Sequence, residues 1–410
     1  MSRIAPSTRW TSFDGWDYNG MKERLLIKGQ KFSMSEPFSA GQYWICFEMV
    51  AEDDSLIIAR VRLPRHPDTL PTVNETDEQY SIACEVSTMR FVRQRLPTVV
   101  MPRVYAYEGP GSQLAADAGA VYMPAFHTKG FYGNTLQDMV PDLCSLSHIM
   151  AQWTMIQTSL ATLSYPLIGS ISAITKTGEP IIDKLSSAAA EGFMSQGPFS
   201  NAIEYFTALG EAALYRANSS DGSTGKNLSH FRKLGALVFV DIVRSTTLFQ
   251  APHAKYPLNH MDLGTQNIIV DDDLNFLAVI DWEFAQTAPW QVNHYPMPFP
   301  LLWPDERIKN ILDNPQHLAH KNISRQALAR RLDRSQFQDA EAKLHQEGLC
   351  LGGRFAEVLE SVASRIYACF SRLGDSPEQD EDFVREMAKE KSNELPELRS
   401  LCHVNEHVGS

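Results

Sequence analysis

Apolar and polar residues alternate along 42–63, QYWICFEMVAEDDSLIIARVRL, in two runs separated by Ala51-Glu52-Asp53-Asp54-Ser55. A period of two puts one set of side chains on each face of a sheet, so this segment predicts two strands joined as a hairpin. The period then lengthens. Ile82, Val86 and Met89 share one face of a predicted helix over 74–95, with Asn74 placed to cap it. Pro102-Arg103-Val104-Tyr105-Ala106-Tyr107 predicts another strand. Residues 1–125 therefore read as a small lobe of strands plus one helix.

From Thr135 onward helical spacing dominates, interrupted by turn-rich pieces at 176–180 and 217–223, so 126–410 reads as a larger, mainly helical lobe. Phe355, Val358, Leu359, Val362, Ile366 and Phe370 recur every three or four residues and predict one helix face. The Glu-rich stretch 378–397 reads as a solvated helix or tail. Between these, Ile268-Ile269-Val270 and Phe276-Leu277-Ala278-Val279-Ile280 are two short β-type runs across Asp271-Asp272-Asp273. The expected fold class is α+β.

Composition narrows the function. A chain of 410 residues that is 43% hydrophobic and 21% charged is long enough for two or three lobes with cores of their own. No run of apolar residues is long enough for a transmembrane helix, and MSRIAPSTRWTSFDGWDYNG lacks the apolar stretch of a secretory signal. The six cysteines show no C-x-x-C pair or regular spacing, which reads as reduced thiols in the cytoplasm. A net charge of −12 argues against the basic face that nucleic acid needs. GSTGK at 222–226 is not a phosphate loop, because Ser220 stands where its first glycine belongs and Asn227 replaces the final Ser/Thr.

The chemistry concentrates in HMDLGTQNIIVDDDLNFLAVIDWEF, His260 to Phe284. A hairpin over 268–280 brings 260–267 and 281–283 to one end and leaves Asp271, Asp272 and Asp273 as turn residues at the other. Asp262, Asn267 and Asp281 then converge. They are hard oxygen ligands of the kind magnesium uses, with one carboxylate left over as a base.

The spacing is that of kinase chemistry, in which one Asp accepts the substrate hydroxyl proton while an Asn and a second Asp hold the metal that bridges the ATP phosphates. His260, Asp262 and Asn267, followed by Ile280-Asp281-Trp282-Glu283, resemble the H-x-D-x-x-x-x-N and I-D-W-E segments of the aminoglycoside phosphotransferase and choline kinase family. Leu167-Ile168-Gly169-Ser170-Ile171 and Gly197-Pro198-Phe199 resemble the I-G-S and G-P-F segments of the large, mostly fungal group of aminoglycoside phosphotransferase-like proteins. The resemblance spans roughly residues 20–300, tight over 258–290 and loose before that.

It implies a two-lobed, protein-kinase-like fold: a nucleotide-binding lobe over 1–125 and a catalytic and substrate-binding lobe over 126–410. The catalytic loop would run over 258–285 and the acceptor-pocket helices over about 300–410. Asp262 would be the base, His260 would orient the loop, and Asn267 and Asp281 would hold Mg2+. A basic residue on the third strand would contact the ATP phosphates and pair with a helix glutamate. Arg60 or Arg62 fits the first role. Glu85 fits the second, since it lies on the inward stripe of its helix, where an unpaired carboxylate is costly.

Other parts depart from the family. GQKFSMSEPFSAG, between a first strand expected near Glu23–Lys28 and the strand from Tyr43, has no G-x-G-x-x-G, which leaves Ser33, Ser35, Ser39 and Gly41 to cover the phosphates. The hinge to the large lobe would run at Met123-Pro124-Ala125-Phe126. Pro124 has no N–H, so Met123 or Ala125 would meet the adenine. Residues 287–303, TAPWQVNHYPMPFPLLW, either wall an acceptor site or pack under the catalytic loop.

The implied activity is phosphoryl transfer from ATP, with Mg2+, to a hydroxyl of a small molecule. Neither nucleic acid nor membrane is an expected partner. Two alternatives stand beside it: a pseudokinase that binds nucleotide or metabolite without turnover, consistent with the missing glycines and with Arg60 where Leu56-Ile57-Ile58-Ala59-Arg60 aligns with the family's Val-Ala-Ile-Lys lysine, and another ATP-driven activation on the same scaffold.

Overall fold

The computed structural model describes residues 32–40, 44–51, 54, 56–62, 73–108, 125–129, 131–139, 145–219, 228–250, 255–293, 305–349, 351, 355–359, 361–375 and 379–394. The chain forms two compact units. One comprises Met1–Val140, Ile171–Ile181 and Thr265–Phe284, the other Pro141–Ser170, Ile182–Gly264 and Ala285–Ser410. Residues 126–140 and two later segments thus belong with the N-terminal strands. The architecture is α+β.

In the first unit, β1 (Phe32–Ala40), β2 (Trp44–Ala51), β3 (Leu56–Arg62), β4 (Val104–Glu108) and β5 (Ala125–Lys129) form an antiparallel sheet in the order β1-β2-β3-β5-β4. The predicted hairpin is β2–β3, in which Ile45, Phe47 and Met49 face Val61, Ala59 and Ile57. Phe47 and Ala59 are fully buried, so the period-two pattern sets the register.

Helix α1 (Glu75–Arg95) follows β3. Asn74 and Asp77 close a capping box: the Asn74 side chain accepts from the Asp77 N–H, and the Asp77 carboxylate accepts from the Asn74 N–H. The predicted stripe of Ile82, Val86 and Met89 is buried. A hairpin of β8 (Ser170–Ile174) and β9 (Pro180–Asp183) braces the same helix, through Ser87 Oγ donating to the Ser172 carbonyl at 3.1 Å and an Arg95–Glu179 ion pair at 2.6 Å.

The first strand expected near Glu23–Lys28 lies outside the described residues. Residues 32–40, read as a phosphate-covering loop, form strand β1. Its proline and serines look like turn residues, but Pro37 sits on an edge strand, where register shifts on either side of it accommodate a residue without an N–H. Ser35 Oγ accepts from the Glu48 N–H at 3.1 Å, and Ser33 Oγ donates to the Val50 carbonyl at 3.5 Å. These hydroxyls stitch β1 to β2.

A second sheet of this unit joins β6 (Asn134–Thr135), β11 (Ile268–Val270) and β12 (Phe276–Val279) in the order β12-β11-β6. The Asp271 carboxylate accepts from the backbone N–H groups of Asp273 and Asn275 and from the Asn275 side chain. The acidic run is a turn, as expected.

The second unit is mainly helical: α2 (Leu146–Ala161), α3 (Ala202–Ser219), α4 (Leu228–Ser245), α5 (Asp305–Leu312), α6 (His320–Gln346), α7 (Phe355–Val358), α8 (Val362–Ser371) and α9 (Asp380–Glu394). A small sheet of β7 (Ser164–Tyr165), β10 (Tyr256–Asn259) and β13 (Gln286–Thr287) runs through it. Phe206, Phe239, Phe249 and Phe370 centre the core, with Phe239 stacked on Phe370 at 3.9 Å. Gly210 lets α3 and α4 approach closely, since a Cβ there would lie 2.4 Å from the Val240 side chain.

Two C-terminal expectations need correction. The single helix face over 355–370 is broken into α7 and α8, because Ser361 caps α8 by accepting from the Ser364 N–H. The stretch taken as a solvated helix or tail forms α9, which buries Phe383, Val384 and Met387 in the core. Among the described residues, no helix is long and apolar enough to cross a membrane, and Cys46, Cys84 and Cys369 are free thiols.

Replacing Asn74 with Ala removes the cap of α1 and is expected to lower stability by about 1 kcal/mol, while Asn74→Asp keeps most of it. Urea unfolding of the two variants measures this. Equal midpoints would show that the capping box contributes nothing.

Candidate active site

The β11–β12 hairpin positions the first group of candidate residues. A 3-10 turn, Thr265–Asn267, leads into β11 and buries Asn267. The Asn267 carbonyl accepts from the Ile280 N–H at 2.9 Å, so Asn267 and Asp281 leave the same end of the hairpin. Trp282 is fully buried and donates its indole N–H to the Val279 carbonyl at 3.0 Å. Asp281 has φ 66°, a left-handed conformation unusual for a residue with a Cβ.

Arg60, on β3, links this loop to α1. One guanidinium nitrogen, Nη1, donates to Glu85 Oε1 at 2.8 Å, and the other, Nη2, donates to Asp281 Oδ1 at 3.1 Å. The Arg60 guanidinium also lies over the Trp44 ring, 4.8 Å from its centroid, and the Trp44 indole N–H donates to Glu283 Oε2 at 3.3 Å. Cys46 is the β2 neighbour of Arg60.

Three carboxylates against one guanidinium leave an excess of negative charge. Burial raises the Glu85 carboxyl to about 7; Arg60 opposes that rise, and Asp281 and Glu283 add to it. Burial works against the charged form of Arg60, but Glu85 and Asp281 outweigh it and hold the guanidinium protonated. Burial also pushes the Cys46 thiol up to about 11, against the opposing Arg60 charge, so it stays neutral and unreactive.

The second group lies in the other unit. Strand β10 is buried throughout and leads into buried His260. Met261 is left-handed at φ 66°, and the carbonyl of half-buried Asp262 accepts from the Gly264 N–H at 2.8 Å. Asn259 fixes the approach to this loop. Its Nδ2 donates to the Pro257 carbonyl at 2.9 Å, and its Oδ1 accepts from Asn293 Nδ2 at 2.7 Å. The I-G-S and G-P-F segments pair with each other, Ile168 and Phe199 exchanging both backbone hydrogen bonds at 2.9 Å. Thr287 Oγ1 donates to the Leu167 carbonyl and accepts from the Gly169 N–H. These segments are structural supports.

Of the two arginines left open by the sequence, Arg60 pairs with Glu85. The Arg62 backbone pairs with Trp44 at the end of β3. Ser39 stands opposite Cys46 in β1, within a strand where a covering loop was expected. Gly41, Met123 and Trp303 lie outside the described residues. Ala125 is not in an open hinge: it lies in β5 with Val61 on one side and Glu108 on the other, so its backbone faces strands where adenine contact was expected. Trp44 and Glu283 were not singled out for this site by sequence reasoning. Trp44 reads there only as one apolar member of an alternating strand, although the I-D-W-E motif does mark Glu283.

Asn267 and Asp281 supply a carboxamide and a carboxylate from one hairpin end, a donor set that fits Mg2+, which takes few protein ligands and completes its shell with water and substrate phosphates. Among the described residues, no group of three or more His, Cys, Asp and Glu side chains could hold a metal.

No protein-family model matches the chain, and no curated protein matches it. Among solved structures it is similar to a macrolide 2'-phosphotransferase from Brachybacterium faecium, with 12% identity, 92% of this chain and 98% of that one covered, and a TM-score of 0.42. It is also similar to an aminoglycoside-3'-phosphotransferase of type VIII, with 10% identity, 85% and 96% covered, and a TM-score of 0.42. A glucosamine kinase in complex with glucosamine, ADP and inorganic phosphate shares 10% identity over 96% and 100% of the two chains, with a TM-score of 0.37. Scores this low carry no assignment of chemistry, which has to come from the chain's own residues.

Because burial raises Glu85 to about 7 from an ordinary value near 4.5, the native state binds more protons than the unfolded state between those values. The stability this group contributes is full below its unfolded pKa and falls as pH rises through about 7. Urea unfolding at pH 5 and pH 8 should therefore show the wild type losing stability relative to Glu85→Gln as pH rises; a constant difference would mean that the attraction to Arg60 prevails over burial. Arg60→Met leaves Glu85 buried without its counter-charge and is expected to destabilise by about 3–5 kcal/mol, measured in the same way at pH 8.

Proposed function

We propose that the chain is an ATP- and Mg2+-dependent phosphotransferase that acts on a hydroxyl of a small molecule. The observation that carries this reading is the guanidinium of Arg60, held between Glu85 of α1 and Asp281 at the end of the β11–β12 hairpin. A structural ion pair needs one carboxylate. The second, on a left-handed residue beside Asn267, suits a site for a charged ligand.

In this reading Asp262 takes the proton of the acceptor hydroxyl as its oxygen attacks the γ-phosphorus, and the bond from that phosphorus to the ADP oxygen breaks. The assignment of Asp262 rests on its sequence spacing from Asn267 and Asp281. Buried His260 orients the loop. Asn267 and Asp281 would hold Mg2+, which when bound neutralises charge on the phosphates. Arg60 offers the phosphate oxygens a planar set of N–H donors, fixed in direction by Glu85. Positioning and charge stabilisation supply most of the rate. An ATP-dependent activity of this kind belongs in the cytoplasm.

Calorimetric titration with ATP, with and without Mg2+, tests the reading on the wild type, Asp281→Ala and Asp262→Asn. Wild type should bind ATP in a Mg2+-dependent manner, and Asp281→Ala should lose that dependence. Asp262→Asn should keep binding while turnover of any acceptor found by a phosphate-transfer screen falls by about 10²–10⁴-fold. Absence of ATP binding under both conditions would overturn the reading. Binding with no acceptor turned over would favour a nucleotide-binding pseudokinase.

A further inference from the structure

Trp44 and Glu283 have no role in the reading above, yet their contacts lead into its centre. The Trp44 ring carries the Arg60 guanidinium on its face at 4.8 Å, and its indole N–H holds Glu283 Oε2 at 3.3 Å. Arg60 holds Asp281 Oδ1 at 3.1 Å, and Asp281 is joined to Glu283 through fully buried Trp282. The contacts therefore close a ring: Asp281, Arg60, Trp44, Glu283, and back along the chain to Asp281. Trp44 is 5% exposed, whereas the Asp281 side chain is 32% exposed. The buried part of the ring is the tryptophan, and the part presented to solvent is the carboxylate.

A tryptophan used only for packing needs neither contact. An apolar side chain at 44 would fill the same volume while leaving Glu283 and Arg60 to find other partners. Two separate bonds from one indole, one from its N–H edge and one from its face, fix both the orientation of the guanidinium plane and the course of the loop. The guanidinium is the more sensitive of the two to such control. It offers nitrogens to Glu85 and Asp281 at once, so a rotation of its plane about the Glu85 bond moves the nitrogen that faces Asp281.

We infer that Trp44 and Glu283 act together as positioning residues that set the Asp281 carboxylate for a divalent cation. The inference rests on the proposed role of Asp281 and extends it to residues that touch no ligand themselves. Removing the hydrogen-bonded partner of a metal ligand commonly changes metal affinity by about 10–100-fold; Trp44 and Glu283 act one contact further back, through Arg60 and through the chain at 281–283.

The test uses Mn2+, whose free concentration is read directly by electron paramagnetic resonance, titrated into the full chain with ADP. Trp44→Phe keeps a ring for Arg60 and loses the indole N–H. Glu283→Leu loses the acceptor, and Glu283→Gln keeps an acceptor oxygen without the charge. Each of the first two should weaken Mn2+–ADP binding by about 10-fold, and Glu283→Gln should recover most of the loss. The double variant Trp44→Phe/Glu283→Leu should be no weaker than the poorer single, because both remove the same link. Thermal unfolding reports separately on packing.

Wild-type affinity in both single variants would overturn the inference. So would losses that multiply in the double variant with Glu283→Gln no better than Glu283→Leu, since that pattern reports two independent packing defects. Asp281→Ala separates the two levels. If it loses Mn2+–ADP binding while Trp44→Phe and Glu283→Leu retain it, only the positioning role fails; if it binds as wild type does, the proposed function fails with it.

Discussion

A carboxylate at 1% exposure in the middle of a helix has to be answered by a charge or given up as a charge, and the first unit is arranged around that requirement. Glu85 cannot turn to solvent without rotating Ile82, Val86 and Met89 out of the core with it. The countercharge therefore has to come to Glu85. Arg60 reaches it from β3, and this contact joins helix to sheet at a defined point along both. The other supports of α1 are local by comparison: the Asn74 cap at its start, Ser87 on the β8–β9 hairpin, and Arg95 on Glu179 near its end. They hold the helix against the unit, whereas the buried ion pair decides which turn of the helix faces which residue of the strand.

An arginine in this place differs from a lysine in kind. An ammonium group is a compact charge that can swing between partners, while a guanidinium has a plane, two separate donor nitrogens and a face. All three are used here: Nη1 on Glu85, Nη2 on Asp281, and the face on Trp44. The Trp44 ring suits a planar cation of this kind. Mobility of the charge is exchanged for direction. The guanidinium donors are fixed in orientation by these partners.

Much of this was legible in the sequence because its signals are local. The β2–β3 hairpin, α1 with its Asn74 cap, and the turn at Asp271–Asp273 each follow from periodicity and turn chemistry over a few residues. The pairing of an arginine with Glu85 was also legible, since a glutamate between apolar positions demands a partner. What was not legible depends on distant contacts. Strand β1 carries proline and serines that read as loop, and only its pairing with β2 makes it a strand. Helix α9 is acidic enough to read as solvated, and it is Phe383, Val384 and Met387 finding the core that settles its place. The break at Ser361 went unseen because a helix cap and a tolerated interior serine look alike in an apolar repeat. Trp44 reads in the sequence only as one apolar member of an alternating run, since alternation reports burial and says nothing about what an indole edge will bind.

The left-handed residue at the end of the β11–β12 hairpin shows how a carboxylate is held in one direction. Met261 and Asp281 both adopt φ 66°, a conformation that costs a residue with a Cβ roughly 1–3 kcal/mol. Leu274, also left-handed, sits in the acidic turn, where hairpin geometry asks for it. No hairpin turn asks for it at Asp281. There the strain is sustained from both sides: on one by the Ile280 N–H bonded to the Asn267 carbonyl, on the other by the burial of Trp282 and its bond to the Val279 carbonyl. With both neighbours anchored, Asp281 is held in the unusual conformation, and the carboxylate direction follows from it. A glycine would make the same turn with less strain but would remove the carboxylate. That the position holds an aspartate, one of the few side chains that tolerates the left-handed region, argues that the carboxylate and the turn are required together.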